Sequence, residues 1–193
     1  MLRYRQWWSV ALVLAVVGCD TATEPVPIDE NSLHRFHAKP RLSSTRGHGT
    51  HQISETLIVD FAHHALSLPN GRALGWFFQS VMLNGQLIEF LGKVTCVTFD
   101  ADEGRAWVGG IVLRNNSEHP DFMTEINEPG RDVWFRVLDT GHGAADPDRA
   151  TFLGFEGGAG IITSAEYCDT QPWPDNNERT NPVTDGRIVN RAR

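Results

Sequence analysis

Cysteine is scarce in this sequence: three residues, Cys19, Cys96 and Cys168, in a chain of 193. That is too few for the disulfide-dense scaffolds of small secreted domains. Positive charge is also short. Seventeen Lys and Arg stand against 24 Asp and Glu, a formal net charge of −7, which argues against nucleic acid as a partner held by phosphate neutralisation. Long apolar runs are missing as well. Residues 10–17 form an unbroken run of eight, well below the ~20 residues of a membrane-spanning helix. The 18 Gly and 10 Pro follow no period, which excludes collagen-like and low-complexity chains. No segment sustains an amphipathic helical pattern. The length suits a single hydrophobic core.

What is present begins with a processing signal. In residues 1–18 (MLRYRQWWSVALVLAVVG), Arg3 and Arg5 precede an apolar run of signal-peptide size. The end of that run, Val16-Val17-Gly18-Cys19, resembles the lipobox of bacterial lipoproteins, where a small residue precedes a cysteine that becomes lipid-modified. The resemblance implies Cys19 as a lipid anchor and a bacterial cell-envelope location, attached to a membrane and facing outside the cytoplasm. The alternative is an ordinary cleaved secretory signal with Cys19 incidental. Residues 20–30 (DTATEPVPIDE) are too polar to bury a core. Residues 19–50 are therefore expected to be an acylated, flexible tether, and residues 51–193 an all-β domain. Loss of Arg3 and Arg5 leaves 15 basic residues against 24 acids, a formal charge of −9. Such a body docks poorly on anionic lipid, so attachment falls to the acyl chains.

From residue 54 onward the apolar pattern has period two. Residues 56–66 place Leu57, Val59 and Phe61 on one face, and Asn70-Gly71 reads as a hairpin turn. A strand over 73–83 leads to a second Asn-Gly, Asn84-Gly85, and a long strand over 86–99 with a bulge at Gly92. After the turn 100–104 come strands at 105–114 and 132–139, separated by a polar loop. Weaker strand candidates lie at 150–155 and 161–167, with a closing strand at 187–191. The expected fold is a single antiparallel β-barrel or β-sandwich of about seven to nine strands.

Several of these segments form an ordered pattern: Gly92-Lys93-Val94-Thr95-Cys96-Val97, Ala106-Trp107-Val108-Gly109-Gly110, Asp139-Thr140-Gly141, Pro147-Asp148, Tyr167-Cys168 and Gly186-Arg187-Ile188-Val189. The pattern resembles an uncharacterised family of bacterial secreted or lipid-anchored β-rich domains, over roughly residues 54–191. It implies fold and compartment and no catalytic role.

Motifs with chemical potential are each outweighed by a plainer reading. Gly47-His48-Gly49-Thr50-His51 looks like the catalytic-histidine segment of subtilisin-like proteases, and Asp139-Thr140-Gly141 like their aspartate motif. The order is wrong and the serine motif is missing. An aspartic-protease reading of Asp139 needs a second carboxylate by dimerisation; a strand end is the simpler role. His34/His37 and His48/His51 have a spacing that binds metal only on a helix, and His63 and His64 point to opposite faces of a strand. Solvated or incidental histidines are expected. Asp100, Asp102 and Glu103 read as a turn. Asp139, Asp146 and Asp148 read as solvated loop acids, with a loop calcium site as the alternative.

Trp76, Trp107 and Trp134 lie within strands and are expected in the core, while Trp173, between two prolines, is the candidate contact residue. Once Cys19 is acylated, Cys96 and Cys168 remain as a pair for a disulfide in an oxidising compartment. The alternative is that Cys96 is a buried thiol. No catalytic residue, metal or cofactor is assigned. The expected role is a non-enzymatic binding or structural module with an unknown protein or glycan ligand. The competing class is a hydrolase or metal-dependent enzyme with a site assembled from loops.

Overall fold

A computed structural model describes residues 42–141, 145–154 and 160–192. The signal segment, Cys19, the tether up to residue 41, His34, His37 and His142 lie outside the described residues. The strands, in chain order, are β1 (Ser43–Ser54), β2 (Leu57–Ser67), β3 (Ala73–Leu83), β4 (Gln86–Asp100), β5 (Arg105–Asn115), β6 (Asp132–Leu138), β7 (Arg149–Ala150) and β8 (Asn181–Arg191). Each pairs antiparallel with its chain neighbours, and β8 pairs with β1, closing an eight-stranded up-and-down barrel. Closure removes both sheet edges.

The Asn-Gly signals are realised with different geometry. Asn84 (φ 52°) and Gly85 (φ 79°) form a two-residue turn between the paired Leu83 and Gln86. Asn70-Gly71 sits in a wider loop, where Asn70 Oδ1 accepts from Arg72 N at 3.1 Å. The register of β4 against β5 shifts at Leu91/Gly92, as Gly92 suggests, and again at Val94/Cys96. Gly92 also makes space in the lumen: a Cβ there would lie 1.8 Å from the Phe77 ring.

Strand β1 starts at Ser43, eight residues before the expected start of the domain at residue 51. Its buried residues are Thr45, Gly47 and His51, none of them aliphatic, and the one aliphatic side chain packed on the core, Ile53, comes at its end, so no hydrophobic alternation marks the strand. Gly47 is needed there because a Cβ would meet the His63 ring at 2.6 Å and Ile188 at 2.9 Å.

The lumen is packed with Val59, Phe61, Phe77, Phe90, Val108, Phe135 and their neighbours. Phe122, from the β5–β6 loop, closes one mouth against Phe90 and Phe152. Inside, the Gln79 amide clamps the chain after β7: its Nε2 donates to Thr151 O at 3.1 Å and its Oε1 accepts from Leu153 N at 3.0 Å.

A second layer covers the outside of β4–β6. Residues 161–167, expected as a strand, instead lead into a helix, α1 (Ser164–Thr170). Thr163 caps it by accepting from Glu166 N, and Glu166 reaches back to Ile162 N, a capping arrangement written in Thr-Ser-Ala-Glu. Trp107 and Tyr167 are fully buried beneath this layer, with Trp134 stacked on Tyr167 at 5.7 Å. The Cys96–Cys168 disulfide ties α1 to β4. Gly109 admits the helix, since a Cβ would sit 2.7 Å from Ser164 O. The fully buried Arg136 donates to the carbonyls of Trp173 and Asn176. Strand β5 is thus buried on both faces, which explains its apolar residues at alternating and intervening positions.

The acids of the Asp-Thr-Gly and Pro-Asp segments are structural. Strand β7 has two residues, so most of β8 lacks a strand partner on that side. Carboxylates take its place. Asp148 accepts from Thr140 N (3.0 Å) and Ile188 N (2.6 Å), and Asp139 from Gly141 N (2.9 Å) and Asn190 N (2.7 Å). Solvated loop acids therefore describe Asp146, which is exposed, and not Asp139 or Asp148. Because a charged acceptor satisfies buried backbone donors at this seam, Asp148→Ala is expected to lower stability by about 2 kcal/mol. Asp146→Ala should change it by less than about 0.5 kcal/mol. Equal urea midpoints for the two variants would refute this role.

Candidate functional site

Each place where the sequence suggests chemistry can be followed into the fold. The histidines of the lumen are sealed. His51 is fully buried, and His63 bonds Thr45 Oγ1 through Nε2 at 2.9 Å. The His51 ring packs against Phe61, and that of His63 against Phe61 and Phe135. Burial pushes the His51 pKa down to about 4 and that of His63 to about 3, with the neighbouring His64 adding to the latter. Both are neutral at pH 7. The void beside His63, Phe77 and Phe135 leaves no space for a water molecule. These histidines are core residues, neither solvated nor incidental.

His48 is exposed and His51 buried, so the Gly-His-Gly-Thr-His segment spreads its rings over opposite sides of the wall. Among the described residues, no group of three or more His, Cys, Asp and Glu is arranged to hold a metal ion. The hollow near Asp100, Glu103 and Asp139 measures about 500 Å³. Its acids are engaged: Asp100 caps the turn by accepting from Asp102 N and Glu103 N, and Arg105 pairs with Asp100 and Glu103. An apolar groove of about 490 Å³ runs beside Phe122 and Ile162. Its polar members also hold structure, Asp132 accepting from Ser164 and Arg131 donating to Glu125 O.

Trp173 is half-buried, and the Arg179 guanidinium lies 3.7 Å over its ring. Its carbonyl accepts from Arg136. The ring belongs to the packing of the outer layer. The exposed tryptophan is Trp76, expected in the core but 46% accessible. The covering layer stops at β4, leaving the outer face of β3 bare.

That bare wall, made by β8, β1, β2, β3 and the Glu89–Lys93 part of β4, has side chains arranged in rows by the strand register. One row runs Val189, Arg46, His64, Trp76, Lys93; the next runs Arg187, His48, Ala62, Phe78, Leu91. A third runs Asp185, Thr50, Asp60, Ser80, Glu89. Arg46, His48, Lys93 and Arg187 are exposed. Among the described residues, Arg46, Lys93 and Arg187 have no ion-pair or side-chain hydrogen-bond partner. A groove of about 360 Å³ runs between Arg46, His48, Trp76 and Arg187, floored by Ala62.

Unpaired cations around an exposed indole are thus concentrated on one wall of an acidic protein, with Arg46 and Lys93 one row removed from the acids and Arg187 in the row between. Arg46 and His48 fall within the expected tether and Trp76 among the expected core residues, so only the fold places these residues on an outward face. Their assembly from four strands is a product of register and has no local signal. The lumen is apolar, unlike the polar interior of a barrel in lipid, and the wall mixes these charged residues with the exposed Ile58, Leu74, Trp76 and Met82. No protein-family model, curated protein or solved structure matches this chain.

Proposed function

We propose that this protein is a lipid-anchored module of the bacterial cell envelope that binds without catalysis, using the outer wall around Trp76. The observation carrying the reading is the combination of a filled lumen with a bare wall of unpaired cations and an exposed aromatic ring. A filled barrel has no internal substrate chamber. An exposed tryptophan among cations is a pre-formed contact surface, because the strands hold it rigid and little ordering entropy is lost on binding. The lipobox-like Val-Val-Gly-Cys and the polar residues after it support an anchor and a tether.

Two measurements test the reading. Cys19→Ser is expected to move the protein from the detergent phase to the aqueous phase in detergent partitioning of the native envelope. Unchanged partitioning would overturn the anchor. For the binding role, a photo-crosslinking residue is placed at Leu74, on the bare wall beside Trp76, or at the exposed Met123, away from it. A discrete product is expected from position 74 in the native envelope, and none from 123. Products from both positions that track only the abundance of neighbours would overturn it.

A further inference from the structure

The basic strip defines its ligand more narrowly than "a binding surface" does. We propose that the strip of Arg46, Trp76, Lys93 and Arg187 binds an acidic saccharide chain, with a sugar ring stacked on the Trp76 indole and its carboxylates held by the flanking guanidinium and ammonium groups. This rests on the reading of the wall as a binding surface and names the ligand class.

Three features carry it. The first is chemical. An indole face accepts the C–H face of a pyranose, and guanidinium groups take carboxylates in paired hydrogen bonds. Trp76 lies in the same row as Arg46 and Lys93, with Arg187 in the next. The second is spacing. Strands succeed one another every ~4.8 Å, close to the length of one sugar residue, so a chain laid across the strands meets Lys93, Trp76, His64 and Arg46 in turn. The third is the limit on charge. Asp185, Asp60 and Glu89 border the strip, and the whole chain is at −7. Double-stranded nucleic acid, with one charge every ~1.7 Å, would be repelled by that border, whereas one carboxylate per sugar can be accommodated within the strip. No covalent step is involved.

The test is titration of the ¹⁵N-labelled barrel, tether included, with tetragalacturonate, following the Trp76 indole N–H resonance. Saturable binding is expected, weakened at least tenfold by Trp76→Ala and by the double variant Arg46→Ala/Arg187→Ala. It should also weaken severalfold between 50 and 300 mM salt, and Asp185→Ala should leave it unweakened (order-of-magnitude expectations from). All four side chains are exposed, so thermal unfolding midpoints should stay close to wild type and separate lost binding from lost fold. The fully methyl-esterified tetrasaccharide should bind at least tenfold more weakly. Equal affinity for the ester would overturn the role of charge. Binding of an oligothymidylate in place of tetragalacturonate would overturn the ligand class. Absence of tetragalacturonate binding alongside a discrete crosslink from position 74 would overturn the saccharide and leave the binding role standing. Failure of both would overturn both.

Discussion

Reducing the Cys96–Cys168 bridge, or replacing it with Cys96→Ala/Cys168→Ala, is expected to lower the unfolding free energy by about 4 kcal/mol. The bridged residues are 72 apart, and the enclosed loop contains β5, β6, β7 and the start of α1. Constraint of that loop in the unfolded chain supplies most of the effect. The native contribution adds to it. Helix α1 has seven residues, too few to persist in water by itself. It stays on the barrel through the bridge and through the packing of Trp107, Trp134 and Tyr167. Loosening it would expose the indole of Trp107, whose Nε1 donates to Pro172 O at 2.9 Å, and the carbonyl cage around Arg136. Urea unfolding with and without reductant measures the loss. Hydrogen exchange should place the earliest deprotection at residues 160–180. An unchanged midpoint after complete reduction would refute the claim.

Acid should destabilise the barrel by a comparable amount, and His51 and His63 account for a definable share. Their folded pKa values lie at about 4 and about 3, below the ordinary 6.5. At pH 7 both are neutral in the folded and unfolded chains, and neither contributes to the pH dependence. As the pH falls below 6.5 the unfolded chain takes up protons that the folded lumen refuses. Stability therefore declines from pH 6.5 down to the folded values, where the loss levels off. At pH 4.5 the loss is about 2.5 kcal/mol per histidine, or roughly 5 kcal/mol for the pair.

His51→Leu isolates one half of this. Among the described residues, neither ring nitrogen of His51 has a hydrogen-bond partner, so an apolar replacement is expected to be neutral or stabilising at pH 7. At pH 4.5 its advantage over wild type should grow by about 2.5 kcal/mol. Parallel stability–pH curves for the two proteins would remove His51 from the acid response.

The candidate wall was legible only in pieces. Trp76 reads as a core residue because strand tryptophans are usually covered. Whether this one is covered depends on where residues 160–180 lie, and they lie over β4–β6. Trp173 reads as a contact residue because it stands between prolines, yet Arg179 and Arg136 fold it into the outer layer. Arg46 and His48 read as tether, since a strand whose buried residues are Thr45, Gly47 and His51 shows no apolar alternation. Asp139 and Asp148 look like ordinary loop acids until the brevity of β7 leaves amides of β8 to be satisfied. In each case the deciding partner was distant in the chain.

The sequence by itself determined the all-β class, the course of β2 through β6, the Asn84-Gly85 turn and the availability of Cys96 and Cys168 as a pair. Those features follow from period-two burial, positive-φ turns and residue inventory, all of them local. The tertiary structure alone decided the choice of barrel over sandwich, the capture of β8 by Asp139 and Asp148, the neutral state of His51 and His63, and the assembly of Arg46, Trp76, Lys93 and Arg187 on one wall. Each depends on strand register and on which segment covers which face, and those are set by contacts between residues far apart in the chain.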